Sequence, residues 1–209
     1  MKESSAISTM VPANHTGKSV DLEYEITENS REEAIDTFKR AVKRLLNPHI
    51  WHELAGSVSA KFELRGLHEP AGSRLAQLND YIRIDIPGPG SSAGDGYDWV
   101  QVVDISENAD LSADQSFGMT TQASINPNRP EEGIAHFFGK LASSTFIVKR
   151  YGNTVIVTYH GRNEKPNTKK VNLQDKVRNT MVATGAAAGI SELQWNALIK
   201  GLLQKEIGG

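Results

Sequence analysis

Hydrophobic and polar side chains alternate strictly near the start of the chain. Val20, Leu22, Tyr24 and Ile26 fall on one side, and Asp21, Glu23, Glu25 and Thr27 on the other. A period of two marks a strand with one buried and one wet face. The period then changes to a helical one. Ala34, Ile35, Phe38, Ala41, Val42, Leu45 and Leu46 recur at spacings of three and four, with Lys39, Arg40, Lys43 and Arg44 filling the other positions. Ser30 and Glu33 precede this stripe as a capping box, which satisfies two amide donors at the helix start. The basic groups near its end suit the negative C-terminal pole. Asn47-Pro48 closes the helix and opens a short second one through Leu54, which Gly56 stops.

From Ser57 onward the pattern is extended, in six runs at 58–64, 81–86, 99–105, 115–125, 145–150 and 154–159. Ile82, Ile84 and Ile86 share one face while Tyr81, Arg83 and Asp85 share the other, as in an antiparallel sheet packed on a single side. Tyr151-Gly152-Asn153 makes a tight hairpin between the last two runs. Residues 126–131 read as a turn-rich link and 134–141 as a short helix. An Ala-rich stretch at 173–188 reads as helical, interrupted near Gly185 and Gly189. Ser191 and Gln194 then offer a second capping box ahead of the stripe Leu193, Trp195, Leu198, Leu202 and Leu203. The C-terminus is thus one kinked helix or a helical hairpin, whose apolar face needs a sheet to cover it. The fold class expected is α+β, a curved antiparallel sheet of about seven strands packed on a C-terminal helix. Residues 1–19 read as a flexible N-terminal lead or surface arm, and 20–209 as a single domain.

Length and composition narrow the function classes. At 209 residues, with 38% hydrophobic and 23% charged side chains, the chain has enough apolar content for one globular domain. It contains no cysteine, which removes disulfides, thiolate zinc sites and cysteine nucleophiles and fits a reducing compartment. A net charge of -2 argues against a nucleic-acid partner. No apolar run reaches the length of a signal peptide or a membrane span, so the expectation is a soluble, cytoplasmic protein.

The order of strand, two helices, six antiparallel strands and a C-terminal helix resembles the START-like (SRPBCC) superfamily and its helix-grip fold. The resemblance covers about residues 20–207. Residues 47–54, Asn-Pro-His-Ile-Trp-His-Glu-Leu, look like the short second helix where such proteins often carry a Trp, here Trp51. The resemblance implies an apolar ligand held between the curved sheet and the last helix. Members of the superfamily include carriers, cyclases, hydrolases and binders of protein partners.

Two segments carry candidate chemistry. The glycine-rich run at 87–99 allows backbone amides to approach an anion, or serves as a hairpin loop that needs positive φ. It lacks the Lys-Ser/Thr of a phosphate loop and leads into a strand rather than a helix. Asp95, Asp98 and Asp104 offer oxygen ligands to a hard cation, without the EF-hand spacing. The second segment, 160–168, gathers His160, Arg162, Asn163 and Glu164. An imidazole, a guanidinium, an amide and a carboxylate side by side suit proton transfer or an anion clamp. The same residues suit a plain strand-to-helix connection in which Arg162 pairs with Glu164.

The remaining histidines are weaker candidates. His49 and His52 bracket Trp51 at i, i+3 with no third ligand and no HExxH pattern, His136 sits beside two phenylalanines, and His68 lies in a loop. No metal and no cofactor are expected.

The reading that results is a protein binding an apolar small molecule between the sheet and the last helix. Its candidate ligand-binding residues are Tyr97, Asp98, Trp99, His160, Arg162, Asn163, Glu164 and Trp195. The alternatives are an interaction or assembly module with a solid core, and a hydrolase or cyclase with His160 or Glu164 as general base.

Overall fold

A computed structural model describes residues 7, 9–56, 59–66, 74–86, 91–108, 114–167 and 186–205. Strand β1 (Lys18–Thr27) carries the alternation read from the sequence. Helix α1 (Arg31–Leu45) starts where the capping residues put it, with the Ser30 hydroxyl accepting the Glu33 amide at 3.1 Å. A 3-10 turn (Pro48–Ile50) and helix α2 (Trp51–Ala55) follow. The Trp51 indole N–H donates to the carbonyls of Arg44 and Leu45, so α2 caps the end of α1. Six further strands complete one sheet: β2 (Lys61–Arg65), β3 (Tyr81–Asp85), β4 (Asp98–Asn108), β5 (Gln115–Ala123), β6 (Ser143–Tyr151) and β7 (Thr154–Glu164). Helix α3 (Ala186–Leu203) ends the fold.

The sheet order is β1-β7-β6-β5-β4-β3-β2, and every neighbouring pair is antiparallel. Because β1 and β2 are its two edges, the chain between them must cross one whole face, and this crossing carries α1 and α2. Helix α3 packs on the same side against β1, β7, α1 and α2. The main core lies between the helices and this inner face, built from residues such as Phe38, Leu45, Met119, Val148, Val157 and Leu198. A register shift between Val102 and Asp104 adds a bulge to β4, a feature that bends and twists a sheet around its helices. The arrangement is the helix grip that the order of elements predicts.

Two contacts position the C-terminal end of α3. Arg44, buried on α1, donates through Nη1 to the carbonyls of Gly201 (3.0 Å) and Gln204 (2.5 Å), supplying partners and positive charge to the end of α3. Gly201 passes so close to Leu54 that a Cβ there would collide with the Leu54 carbonyl oxygen.

The structure departs from three sequence expectations. Residues 134–141 form no helix. Ala135 accepts from the Trp99 amide and donates to the Ser124 carbonyl, Phe138 bridges Pro166, and the helical turn falls earlier at Pro130–Glu132. These long-range backbone bonds replace the i to i+4 bonds that the apolar spacing suggested. Helix α3 runs through Gly189 without a break, so Ser191 lies inside it rather than capping it. The proposed stretch at 173–185 lies outside the described residues. Strand β7 continues through Glu164, so residues 160–164 are not a connection. His160 pairs with Asp21 on one side and Thr145 on the other, which β1 and β6 are long enough to allow.

On the outer face Ile7, Met10 and Ile147 form a small apolar cluster, with Met10 filling the space over Gly118. Asn14 and Asn163 clasp this arm to the end of β7. The Asn163 amide donates to Asn14 Oδ1 at 2.7 Å, its Oδ1 accepts from the amides of His15 and Thr16, and its Nδ2 donates to the Ala13 carbonyl.

Candidate functional site

Strand β7 distributes its polar residues by the pleat. Thr158, His160 and Arg162 point to the outer face, whereas Val157, Tyr159 and Gly161 point toward the helices. Asn163 then takes a left-handed conformation, φ 59°, which breaks the alternation. Glu164 is thereby returned to the inner side. Its carboxyl folds back over Gly161 into the place a Cβ would take, so only glycine admits it there.

The inner end of β7 is a buried polar group set among aromatic rings. The Tyr159 hydroxyl lies 3.1 Å from the Ser144 hydroxyl of β6 and is hydrogen-bonded to Glu164. Lys18 of β1 stands near Glu164 but is ion-paired with Glu192 of α3. Glu164 is 8% exposed. Burial pushes its carboxyl up to about 7; Lys18 opposes that shift, Glu192 adds to it, and Tyr159 and Arg162 oppose it. Burial likewise pushes the Tyr159 hydroxyl up, with the neighbouring Glu164 adding to it. Above these groups the Trp195 ring stacks on Tyr159, centroids 5.3 Å apart and planes at 22°. Phe146 (5.5 Å), Phe62 (5.9 Å) and Trp51 (6.4 Å) surround it. Trp195 is the partly exposed member of this cluster, while the other four rings are buried. Gln194, beside it, accepts the Ala60 amide at 2.9 Å and ties α3 to the start of β2.

The other sequence candidates go elsewhere. His160 Nδ1 lies 2.5 Å from Asp21 and Nε2 3.0 Å from the Thr158 hydroxyl, while Arg162 donates to Asp21 at 2.7 Å, all on the outer face. Partial burial would raise the Asp21 carboxyl, but the hydrogen bonds from Arg162 and His160 outweigh it and hold the group below the usual carboxylate range. Arg162 thus pairs with Asp21 rather than with Glu164. Asn163 directs its side chain to the N-terminal arm.

Tyr97, Asp98 and Trp99 engage other partners. Asp98 is buried and accepts the Phe137 amide at 3.0 Å, and Trp99 packs with Tyr81 and Ala135. The Tyr97 ring lies 4.2 Å from the Arg83 guanidinium and helps line an open cleft of about 360 Å³ beside α2 and β2, with Phe62, His49 and His52. Asp95 pairs with Arg129 at 2.8 Å. Among the described residues no group of three or more His, Cys, Asp or Glu is placed to hold a metal. Residues 87–90 of the glycine-rich run, and His68, lie outside the described residues.

Of the eight sequence candidates, Glu164 and Trp195 are therefore brought together, joined through Tyr159. Ser144, Tyr159, Lys18 and Glu192 were missed. A glycine at an inward position two residues after an inward tyrosine was the available signal, since it leaves a hollow beside a polar ring.

No protein-family model matches the sequence, and no curated protein matches it. In structure the chain is similar to a START superfamily protein from Mycobacterium smegmatis, at 8% identity over 89% of this chain and 99% of that one, TM-score 0.39. It is similar to the major latex-like protein 151 of Panax ginseng, at 14% identity over 83% and 97%, TM-score 0.37. It is also similar to the Zhui aromatase/cyclase from a Streptomyces species, at 10% identity over 88% and 94%, TM-score 0.38. These are likenesses of structure at low sequence identity. No helix among the described residues is long and apolar enough to cross a membrane.

Proposed function

We propose that the protein binds a small, mostly apolar molecule against Trp195, with Glu164 as its polar anchor. The observation that supports this is a carboxyl buried beside aromatic rings and shifted to about 7. Such a group destabilises the fold near neutral pH, and perturbed carboxyls of this kind gather at functional sites. The rings of Trp51, Phe62, Phe146 and Tyr159 already touch one another or Trp195, so the ligand sits at the partly exposed Trp195 rather than deep in the grip.

Nile red, a neutral apolar dye, tests the reading. A saturable blue-shifted emission at one site is expected, with affinity falling about tenfold or more in Trp195→Ala, as for loss of an aromatic platform. Unsaturable binding, or full affinity in the variant, would overturn it. A general-base role is the second reading, favoured by the carboxyl near 7, and it falls to Glu164 alone because His160 stands on the opposite face. If ester or thioester turnover is found, it should be lost in Glu164→Gln and kept in His160→Ala.

A further inference from the structure

We infer that this site selects an apolar ligand bearing a protonated amine, because the buried Glu164 carboxyl is bonded to the Tyr159 hydroxyl, on whose ring Trp195 stacks, while the nearby lysine is already ion-paired with Glu192. This inference rests on the binding reading above and adds the chemical class of the ligand. The charged and titratable groups that act on Glu164 come from each element packed around it. Strand β1 contributes Lys18, α3 contributes Glu192, and β7 contributes Tyr159 and Arg162. Strand β6 adds the neutral Ser144 hydroxyl, which contacts Tyr159. Lys18 is paired with Glu192, and the Arg162 guanidinium is held on the other face by Asp21 and the carbonyls of Val20 and Gly161. Ionising Glu164 therefore leaves the inner end with two carboxylates against one ammonium. In the free protein the buried carboxyl avoids this by holding its proton.

An incoming ammonium changes that balance. It supplies the missing cation, favours the ionised carboxylate through a charge-assisted hydrogen bond, and can lie against the face of Trp195. The Tyr159 hydroxyl uses one lone pair of the carboxyl, and a carboxylate accepts up to about four hydrogen bonds, so capacity for an ammonium donor remains. A neutral ligand of the same shape gains only the ring contacts. An anionic one meets Glu192 as well. The ligand class that fits is an aryl-alkyl or alkyl amine.

Isothermal titration calorimetry with tryptamine and its neutral analogue tryptophol separates these cases, run in two buffers of different ionisation enthalpy. Tryptamine is expected to bind about 10- to 100-fold more tightly than tryptophol, the span of one hydrogen bond to a charged group. Its binding near pH 6 should release about one proton, and near pH 8.5 almost none, because the carboxyl is then already ionised. Tryptophol should release no proton at either pH. In Glu164→Gln, checked for folding by circular dichroism, the preference for tryptamine and the proton release should vanish. Equal affinity for the two probes, or a preference that survives in the variant, overturns the amine assignment while leaving the binding reading standing. Binding of neither probe overturns both.

Discussion

His160 and Glu164 stand four residues apart on β7, yet one faces the outer surface and the other the core side of the sheet. The pleat sends His160 outward, where Asp21, Arg162 and Thr158 surround it in partly solvated contact. One left-handed residue, Asn163, sends Glu164 inward, where the packed rings and the nearby Glu192 raise its proton affinity. Titratable groups on one strand thus form an ordinary surface network on one face and a buried carboxyl that favours its proton on the other. The difference lies in solvent access. Charges at the surface are screened, whereas a buried carboxyl shifts its pKa to escape ionisation.

The largest test of this contrast is Glu164→Gln. The folded-state pKa lies above the ordinary 4.5, so the folded state holds the proton more tightly than the unfolded state. That stabilisation is complete below about pH 4.5 and is lost as pH rises through about 7, a swing on the order of 3 kcal/mol. The glutamine variant should be more stable than wild type by up to about 3 kcal/mol near pH 8, and should lose this part of the pH dependence, measured by urea unfolding. Equal stability of the two proteins at pH 8 would break the comparison.

A smaller effect tests the hollow itself. In Gly161→Ala the new methyl group takes the place of the Glu164 carboxyl, and overpacking of this kind destabilises by about 1–3 kcal/mol. Adding Glu164→Ala should restore part of that loss, because the two side chains compete for one space. Strict additivity of the two substitutions would mean that the carboxyl does not occupy the hollow.

The sequence carried the architecture well where periodicity was clean. Ser30 with Glu33, the alternation of β1, and the 151–153 hairpin all appear at their expected places. It failed where long-range pairing decided the outcome. Residues 134–141 have helical spacing, but their amides and carbonyls are claimed by Trp99, Ser124 and Pro166, contacts no local pattern contains. The site was legible in part. Glu164 was singled out from the polar segment 160–168 and Trp195 from the apolar stripe of the last helix, but their union depends on the φ of Asn163, on the void at Gly161, and on Tyr159, which reads as one more core position of the strand.

The smallest predicted effect lies on the outer face and sharpens the contrast from that side. The Asp21 carboxyl is held below its usual range, so its contribution to stability is present above the unfolded pKa and is lost as pH falls through the folded one. Its side chain is 57% exposed, and solvent screens most of the attraction to Arg162 and His160. Asp21→Asn should therefore cost no more than about 1 kcal/mol at neutral pH, less at high salt, and progressively less as pH falls below the unfolded pKa. The sign of its pH dependence is opposite to that of Glu164. A loss at neutral pH larger than the gain in Glu164→Gln would show that the outer network, and not the buried carboxyl, dominates the electrostatics of β7.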